Sequence, residues 1–191
     1  MTYSLKIYLL FAVLLTFTSC YESGLEDIDY QFENAEEETI KTDCKNIVAK
    51  IPPCFDENIK YGVSLTNNSE WYCSNLKMYI KFDMINPEFY KEELTEKPTI
   101  DKVLDYYSGV RKANMHSFSR AKNIEEIERN GNNTITAYLK GKVQAWSDEA
   151  LIYLHIIEKE NCYYCVQYIF PADFATYYDT AIKLNIESIK F

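Results

Sequence analysis

The chain has 191 residues, of which 47% are hydrophobic and 26% charged, and its formal net charge at pH 7 is −9. This length suits one ordinary domain, and this composition excludes a collagenous, low-complexity or wholly disordered chain. The sequence has no basic stripe, so nucleic acid is not an expected partner.

The first element in chain order is a short apolar segment. Lys6 precedes a nearly unbroken apolar run over residues 7–17, and Thr18, Ser19 and Cys20 follow it. The run is shorter than the roughly 20 apolar residues of a transmembrane helix and has the length of a signal-peptide core. The series resembles the signal and lipobox of bacterial lipoproteins. This resemblance implies a signal peptide over residues 1–19 and a lipid on Cys20, with a plain secretory signal as the alternative.

A lipid on Cys20 would make the membrane a partner and place the protein in the cell envelope, facing the periplasm or the cell surface. Acidic residues follow this cysteine: residues 21–43 hold nine acids and one base, whereas residues 44–191 hold 20 acids and 18 bases. We therefore predict a disordered acidic tether over residues 20–43 and a single globular domain over residues 44–191. An alternative interpretation of the acidic segment is a surface-export signal, because Glu26 and Asp27 resemble the export signals of some bacterial surface lipoproteins.

Alternation of apolar and polar residues predicts the strands of the domain. Residues 61–65 form a short strand, residues 76–83 a strand with one wet face, and residues 134–146 a long strand. Residues 150–157 and 162–170 are apolar on both faces, so they form a hairpin near the centre of the sheet.

Helical spacing predicts three helices. One begins at Asn86 and ends near residue 94, and a second covers residues 100–112 with Thr99 as its N-cap. A closing helix is capped by Asp173, ends at Asn185 and leads into an extended segment over residues 186–191. Its predicted buried residues are Phe174, Tyr177, Tyr178, Ala181 and Leu184. The order of strands and helices favours an α+β fold, a twisted antiparallel sheet with packed helices.

Two stretches carry a resemblance to a known fold. At the front, Tyr61-Gly62-Val63-Ser64-Leu65 leads to Trp71, and at the back, a tyrosine-rich strand and Pro171-Ala172-Asp173-Phe174 lead through a helix to Ser188-Ile189-Lys190-Phe191. This order resembles the PsbP-like fold, named after an extrinsic subunit of photosystem II and shared by a Ran-binding nuclear import factor and many bacterial lipoproteins. The resemblance covers about residues 59–191. Because that family has no common active site, it implies a binding or accessory role.

Five further cysteines are candidates for disulfides in the envelope: Cys44, Cys54, Cys73, Cys162 and Cys165. A local bridge between Cys44 and Cys54 is one option. Cys162 and Cys165 have C-x-x-C spacing, but in a strand they point to opposite faces, which argues against a redox pair. The sequence has only two histidines, His116 in a predicted polar loop and His155 in a predicted core strand. We therefore expect neither a metal nor a cofactor.

The strongest binding candidate is the outward face of the long strand, with Tyr138, Lys140, Lys142 and Trp146. Aromatic rings and cations on one face suit a small ligand such as a sugar or quinone, or an envelope protein. The alternative is a face covered by a helix. The sequence thus favours a membrane-anchored lipoprotein with a non-catalytic binding domain. An envelope enzyme, a hydrolase or a thiol oxidoreductase with a site assembled from distant residues, is the alternative function.

Overall fold

The computed structural model describes residues 26–58, 69–94, 96–113, 115–129, 132–143 and 149–191. The helices are α1 (Glu26–Glu33), α2 (Pro87–Phe89), α3 (Ile100–Ala113) and α4 (Ala175–Ser188). A π-helical turn, Tyr90–Leu94, continues α2, and a 3-10 turn, Ala172–Phe174, precedes α4. The strands are β1 (Glu36–Ile40), β2 (Ile47–Ile51), β3 (Asp56–Asn58), β4 (Ser69–Cys73), β5 (Met78–Ile85), β6 (Met115–Arg129), β7 (Asn132–Val143), β8 (Glu149–Lys159) and β9 (Cys162–Pro171).

Seven strands form one antiparallel sheet in the order β3-β4-β5-β9-β8-β7-β6, and β1 and β2 form a separate two-stranded sheet. The large sheet has a core on each face. α2 and α3 cover one face, and α4, α1 and the β1–β2 sheet cover the other. The predicted α+β class, an antiparallel sheet with packed helices, is confirmed.

The predicted central hairpin is confirmed as β8 and β9. Its two-residue turn, Glu160 and Asn161, has φ values of 51° and 67°. Positive φ at both positions is the type I′ geometry, which matches the twist of paired strands. Residues 162–170 are all buried, because helices cover both faces of β9.

The two predicted helices before β6 are also confirmed. α3 buries Ile100, Val103, Leu104 and Tyr107 along one stripe, as their spacing predicts. α2 begins after Asn86, whose Oδ1 accepts a hydrogen bond from the backbone N–H of Phe89 at 2.8 Å. Among the described residues, no helix is long and apolar enough to cross a membrane.

The disordered tether predicted over residues 20–43 is wrong for residues 26–43. α1 buries Ile28 and Phe32, which are 1% and 7% exposed, and packs against α4. β1 pairs with β2 and buries Ile40. Because Ile28 and Phe32 lie four residues apart, a helix brings them onto one face although acids dominate the composition. The signal peptide and Cys20 lie outside the described residues.

The predicted stripe of the closing helix is partly wrong. Tyr178 and Ala181 are buried, but Tyr177 and Leu184 are 56% and 51% exposed. α4 also has no side-chain N-cap, so Asp173 does not cap it. The helix continues past Asn185, which is buried. The Oδ1 atom of Asn185 accepts a hydrogen bond from the Tyr168 hydroxyl at 2.7 Å, which explains a polar residue in this position.

Two smaller predictions also need correction. The alternation that predicts one wet face for the strand over residues 76–83 puts Asp83 on that face, yet Asp83 is 4% exposed, because α3 covers that side of the sheet. His116 lies in β6 rather than in a loop. The strand predicted over residues 61–65 lies outside the described residues.

The C-terminal segment packs on the domain, but the predicted extended segment over residues 186–191 is wrong for residues 186–188, which belong to α4. Lys190 forms a two-hydrogen-bond bridge with Val48 of β2, with N···O distances of 2.9 and 2.8 Å. The Phe191 ring meets Tyr164 edge to face at a centroid distance of 4.8 Å. Ile189 and Phe191 are partly buried against the core, so this segment holds the β1–β2 sheet to the rest of the molecule.

Candidate functional site

The predicted binding face is partly covered. The Tyr138 hydroxyl donates a hydrogen bond to Asp179 Oδ1 of α4 at 3.2 Å, and its ring packs edge to face on Tyr153 at 4.7 Å. Lys140 forms an exposed ion pair with Glu149 at 2.9 Å. Lys142 is exposed near the end of β7, and Trp146 lies outside the described residues. The alternative interpretation, a face covered by a helix, therefore holds for Tyr138.

Beside Tyr138, a groove of about 270 Å³ runs between the sheet and α4. Its lining residues are Tyr138, Leu151, Phe170, Ala175, Thr176, Asp179 and Ile182. Pockets that bury a small ligand usually have volumes of about 300–1,000 Å³. This groove is at the lower limit and is a weak ligand site.

A larger cleft, of about 690 Å³, lies between β1, the segment after β2, and the strands β3 and β4. We call it the β1 cleft. Its apolar lining consists of Ile40, Ile51, Pro52, Pro53, Phe55 and Trp71, and its polar lining of Glu36, Glu38, Thr39, Lys41, Asp56 and Ser69. The sequence prediction missed this site because it assigned residues 36–41 to the tether.

The apolar floor of the β1 cleft is continuous with the core. The Trp71 ring packs edge to face on Phe82, with centroids 5.6 Å apart. Phe55 packs in the same way on Phe32 of α1, at 6.3 Å. Trp71 and Phe55 are each 7% exposed, so both rings are fixed by their neighbours. The floor is therefore a preformed surface.

The rim of the β1 cleft is acidic. Glu36 and Glu38 lie two residues apart in β1, so they share one face of the strand. Glu37 points to the other face, where its carboxylate pairs with Lys190. Asp56 of β3 adds a third carboxylate, and Lys41 is the one cation among the described lining residues. The rim has a net charge of about −2.

The polar groups of the β1 cleft are carboxylates, hydroxyls and one ammonium group. Its described lining contains no histidine or cysteine, and its carboxylates are exposed on the rim. A carboxyl group that acts as a general acid is normally held in an apolar, buried setting. Across the described residues, no group of three or more His, Cys, Asp or Glu side chains is placed to hold a metal.

His155 is a core residue, as the sequence indicates. It is 4% exposed, and its Nδ1 atom lies 3.0 Å from the Thr136 hydroxyl. A buried hydrogen-bonded imidazole of this kind is a structural group. The side chain of His116 lies outside the described part of the chain.

The cysteines are arranged for structure. Cys44 and Cys162 form a disulfide, so the local Cys44–Cys54 bridge is wrong. Cys54, Cys73 and Cys165 are thiols. Cys162 and Cys165 lie on opposite faces of β9, and burial raises the pKa of the Cys165 thiol, with Asp83 adding to this effect. A thiol with a raised pKa is a poor nucleophile at neutral pH, which disfavours a redox role.

A buried polar cluster lies under α3. The Asp83 carboxylate pairs with Lys81 at 3.2 Å and accepts a hydrogen bond from the Gln167 amide, whose oxygen accepts one from Arg111 Nε at 2.7 Å. The Asp83 carboxylate thus pairs directly with one cation, Lys81, and Gln167 links it to a second, Arg111. Removing a single partner from such a network leaves buried charge without compensation.

We expect Asp83→Asn to destabilise the domain by about 3–5 kcal/mol, because Lys81 would lose its carboxylate partner and Gln167, which holds Arg111, would lose a charged acceptor. Urea denaturation followed by circular dichroism measures the change. Glu92→Gln, at an exposed carboxylate, is the control and should alter stability by no more than about 0.5 kcal/mol. Equal midpoints for both variants would show that the cluster does not hold α3 to the sheet.

No family model and no curated protein matches the sequence. Solved structures do share its fold. Cyanobacterial PsbP (CyanoP) from Synechocystis matches with a TM-score of 0.58 and 13% identity over 82% of this chain and 92% of that chain. The Ran-binding protein Mog1p of Saccharomyces cerevisiae matches with a TM-score of 0.55 and 8% identity over 82% of this chain and 96% of that one.

A third match is a mycobacterial protein. LpqN of Mycobacterium tuberculosis, described as involved in cell envelope biogenesis, has a TM-score of 0.50 and 12% identity over 85% of this chain and 94% of that chain. At these identities the likeness defines the fold and nothing more. The chain has a PsbP-like fold, as its sequence motifs indicate.

Proposed function

We propose that this protein is a lipid-anchored envelope protein whose domain binds a partner in the β1 cleft without catalysing a reaction. The observation that carries the proposal is the cleft itself, about 690 Å³ with a rigid aromatic floor and an acidic rim. The volume of the cleft is in the range of about 300–1,000 Å³ that is usual for a binding site, and its polar residues could orient a partner on the fixed rings of the floor. The arrangement of its carboxylates and the lack of histidine and cysteine in its described lining favour binding over chemistry.

The fold relatives support an accessory role. One is a cyanobacterial PsbP, one is a Ran-binding protein, and one is involved in cell envelope biogenesis. The three descriptions differ from one another. This is expected, because proteins that share a fold can carry different binding sites and so have different functions. LpqN adds support for an envelope location of the present chain.

We expect Cys20 to carry the lipid anchor. The motivation is the series of Lys6, an apolar run and Thr18-Ser19-Cys20. Metabolic labelling with a palmitate analogue should mark the wild-type protein and leave Cys20→Ala unlabelled, with the variant released from the membrane fraction. Cys54→Ala is the control and should be labelled as strongly as the wild type. Labelling of Cys20→Ala at the wild-type level would rule out this anchor.

Binding at the cleft is tested by site-specific crosslinking in intact cells. A benzophenone amino acid replaces Thr39, an exposed residue of the cleft rim, and in a separate strain Lys102, an exposed residue of α3. A discrete adduct at position 39 and none at position 102 supports the proposal. No adduct at position 39, or the same adduct at both positions, overturns it.

A further inference from the structure

One side of the β1 cleft is a strand edge. Among the described residues, β1 pairs with β2 and with no other strand. Four of the five residues of β1 line the cleft, namely Glu36, Glu38, Thr39 and Ile40, whereas a strand that presented only one face would contribute every second residue. The edge of β1, with its backbone N–H and C=O groups, therefore borders the cleft.

The acidic side chains restrict what can pair with this edge. An open strand edge is a template for another strand, and like charges opposite each other are destabilising. Glu36 and Glu38 would thus repel an acidic segment, including β1 of a second copy. Glu36, Glu38 and Ile40 lie opposite the buried residues Ile51, Ala49 and Ile47 of β2, so both acids are on the face of β1 that is turned to the core. A strand whose basic residues lie on this same face would find opposite charges at Glu36, Glu38 and Asp56.

We infer that the β1 cleft binds an extended segment of a partner protein, in which every second residue is basic, and that this segment adds as a strand to β1. The inference rests on the proposed function and deepens it. Backbone hydrogen bonds to β1 fix the register, while Glu36, Glu38 and Asp56 select the basic side chains. β1 has five residues, so the paired segment is about 17 Å long, or five to six residues.

The charge selection is tested with two labelled hexapeptides, one alternating Lys and Val and the other alternating Glu and Val. Fluorescence anisotropy measures their affinity for the purified full-length protein in detergent. We expect the basic peptide to bind at least about tenfold more tightly, and Glu36→Lys with Glu38→Lys to reduce its affinity by about tenfold or more. Glu88→Lys with Glu92→Lys changes the net charge equally at exposed positions outside the cleft and should leave the affinity within about twofold.

Equal loss in both double variants would show general charge attraction and overturn the inference. If the rim acids only protect the edge from self-pairing, the Glu36→Lys, Glu38→Lys variant would dimerise in size-exclusion chromatography with unchanged peptide affinity. That outcome also overturns it.

A separate experiment tests whether the peptide adds as a strand, by altering its backbone N–H groups. Methylating every second backbone nitrogen of the Lys-Val peptide blocks the N–H groups on one edge only. The peptide that is methylated on the nitrogens facing β1 should lose binding by about tenfold or more, and the peptide that is methylated on the other nitrogens should keep it. Equal affinities of the two methylated peptides would exclude strand addition. An adduct at position 39 in cells with no affinity for the basic peptide would leave the proposed function standing and overturn this inference alone.

Discussion

Deleting residues 26–43 is expected to unfold the domain or to destabilise it by several kcal/mol. The deletion removes α1 and β1 and with them Ile28, Phe32 and Ile40, which are 1%, 7% and 4% exposed. Each such side chain contributes about 1.5–3 kcal/mol when buried. The sum is comparable with the roughly 5–15 kcal/mol that hold a domain together.

Two point substitutions on α1 give this expectation a matched control. Phe32→Ala removes a buried ring that packs on Phe55 and should cost about 3–5 kcal/mol. Tyr30→Ala removes an aromatic ring that is 59% exposed on the same helix and should cost less than about 1 kcal/mol. Urea denaturation measures both. If Phe32→Ala and Tyr30→Ala have the same midpoint, α1 is not part of the core.

Loss of the Cys44–Cys162 disulfide is the second large effect that we expect. The bridge joins positions 118 residues apart. It restricts the unfolded chain, and in the chain-entropy account a loop of this size corresponds to about 4–5 kcal/mol of stability. It also fixes the β1–β2 connection to the start of β9, where the Tyr164 hydroxyl accepts a hydrogen bond from the Lys45 N–H at 3.0 Å.

Cys44→Ala with Cys162→Ala should therefore lower stability by about 2–5 kcal/mol. Reductant should destabilise the wild-type protein by a similar amount and leave the double variant unchanged. Cys54→Ser, which alters a thiol outside the bridge, is the control and should keep the response to reductant. A wild-type protein with the same denaturation midpoint in oxidised and reduced form would contradict this expectation.

The elements that were predicted well are those with strong local signals. The β8–β9 hairpin has two continuous apolar runs and a turn that tolerates positive φ, and α3 has a four-residue apolar stripe with a capping threonine. These patterns depend on residues close in sequence. The α+β class follows from their order along the chain.

The β1 cleft could not be predicted in this way. Segment composition suggested that residues 20–43 are a tether, because acids outnumber the few apolar residues there. Only the packing of Phe32 against Phe55 and the pairing of β1 with β2 show that the segment is folded. The same holds for the Cys44–Cys162 bridge, since spacing alone favours neighbouring cysteines over partners in distant strands. Contacts of this type are set by tertiary structure.

The position of α1 limits how far the domain stands from a membrane. α1 begins at Glu26, six residues after Cys20. Even a fully extended chain spans only about 3.3–3.6 Å per residue, so a lipid on Cys20 would keep the start of α1 within about 20 Å of the bilayer surface. The cleft is built on the strand that follows α1, and any partner would have to reach it close to the lipid headgroups. A protein held in this way is suited to partners in its own membrane and poorly suited to bridging to a distant one.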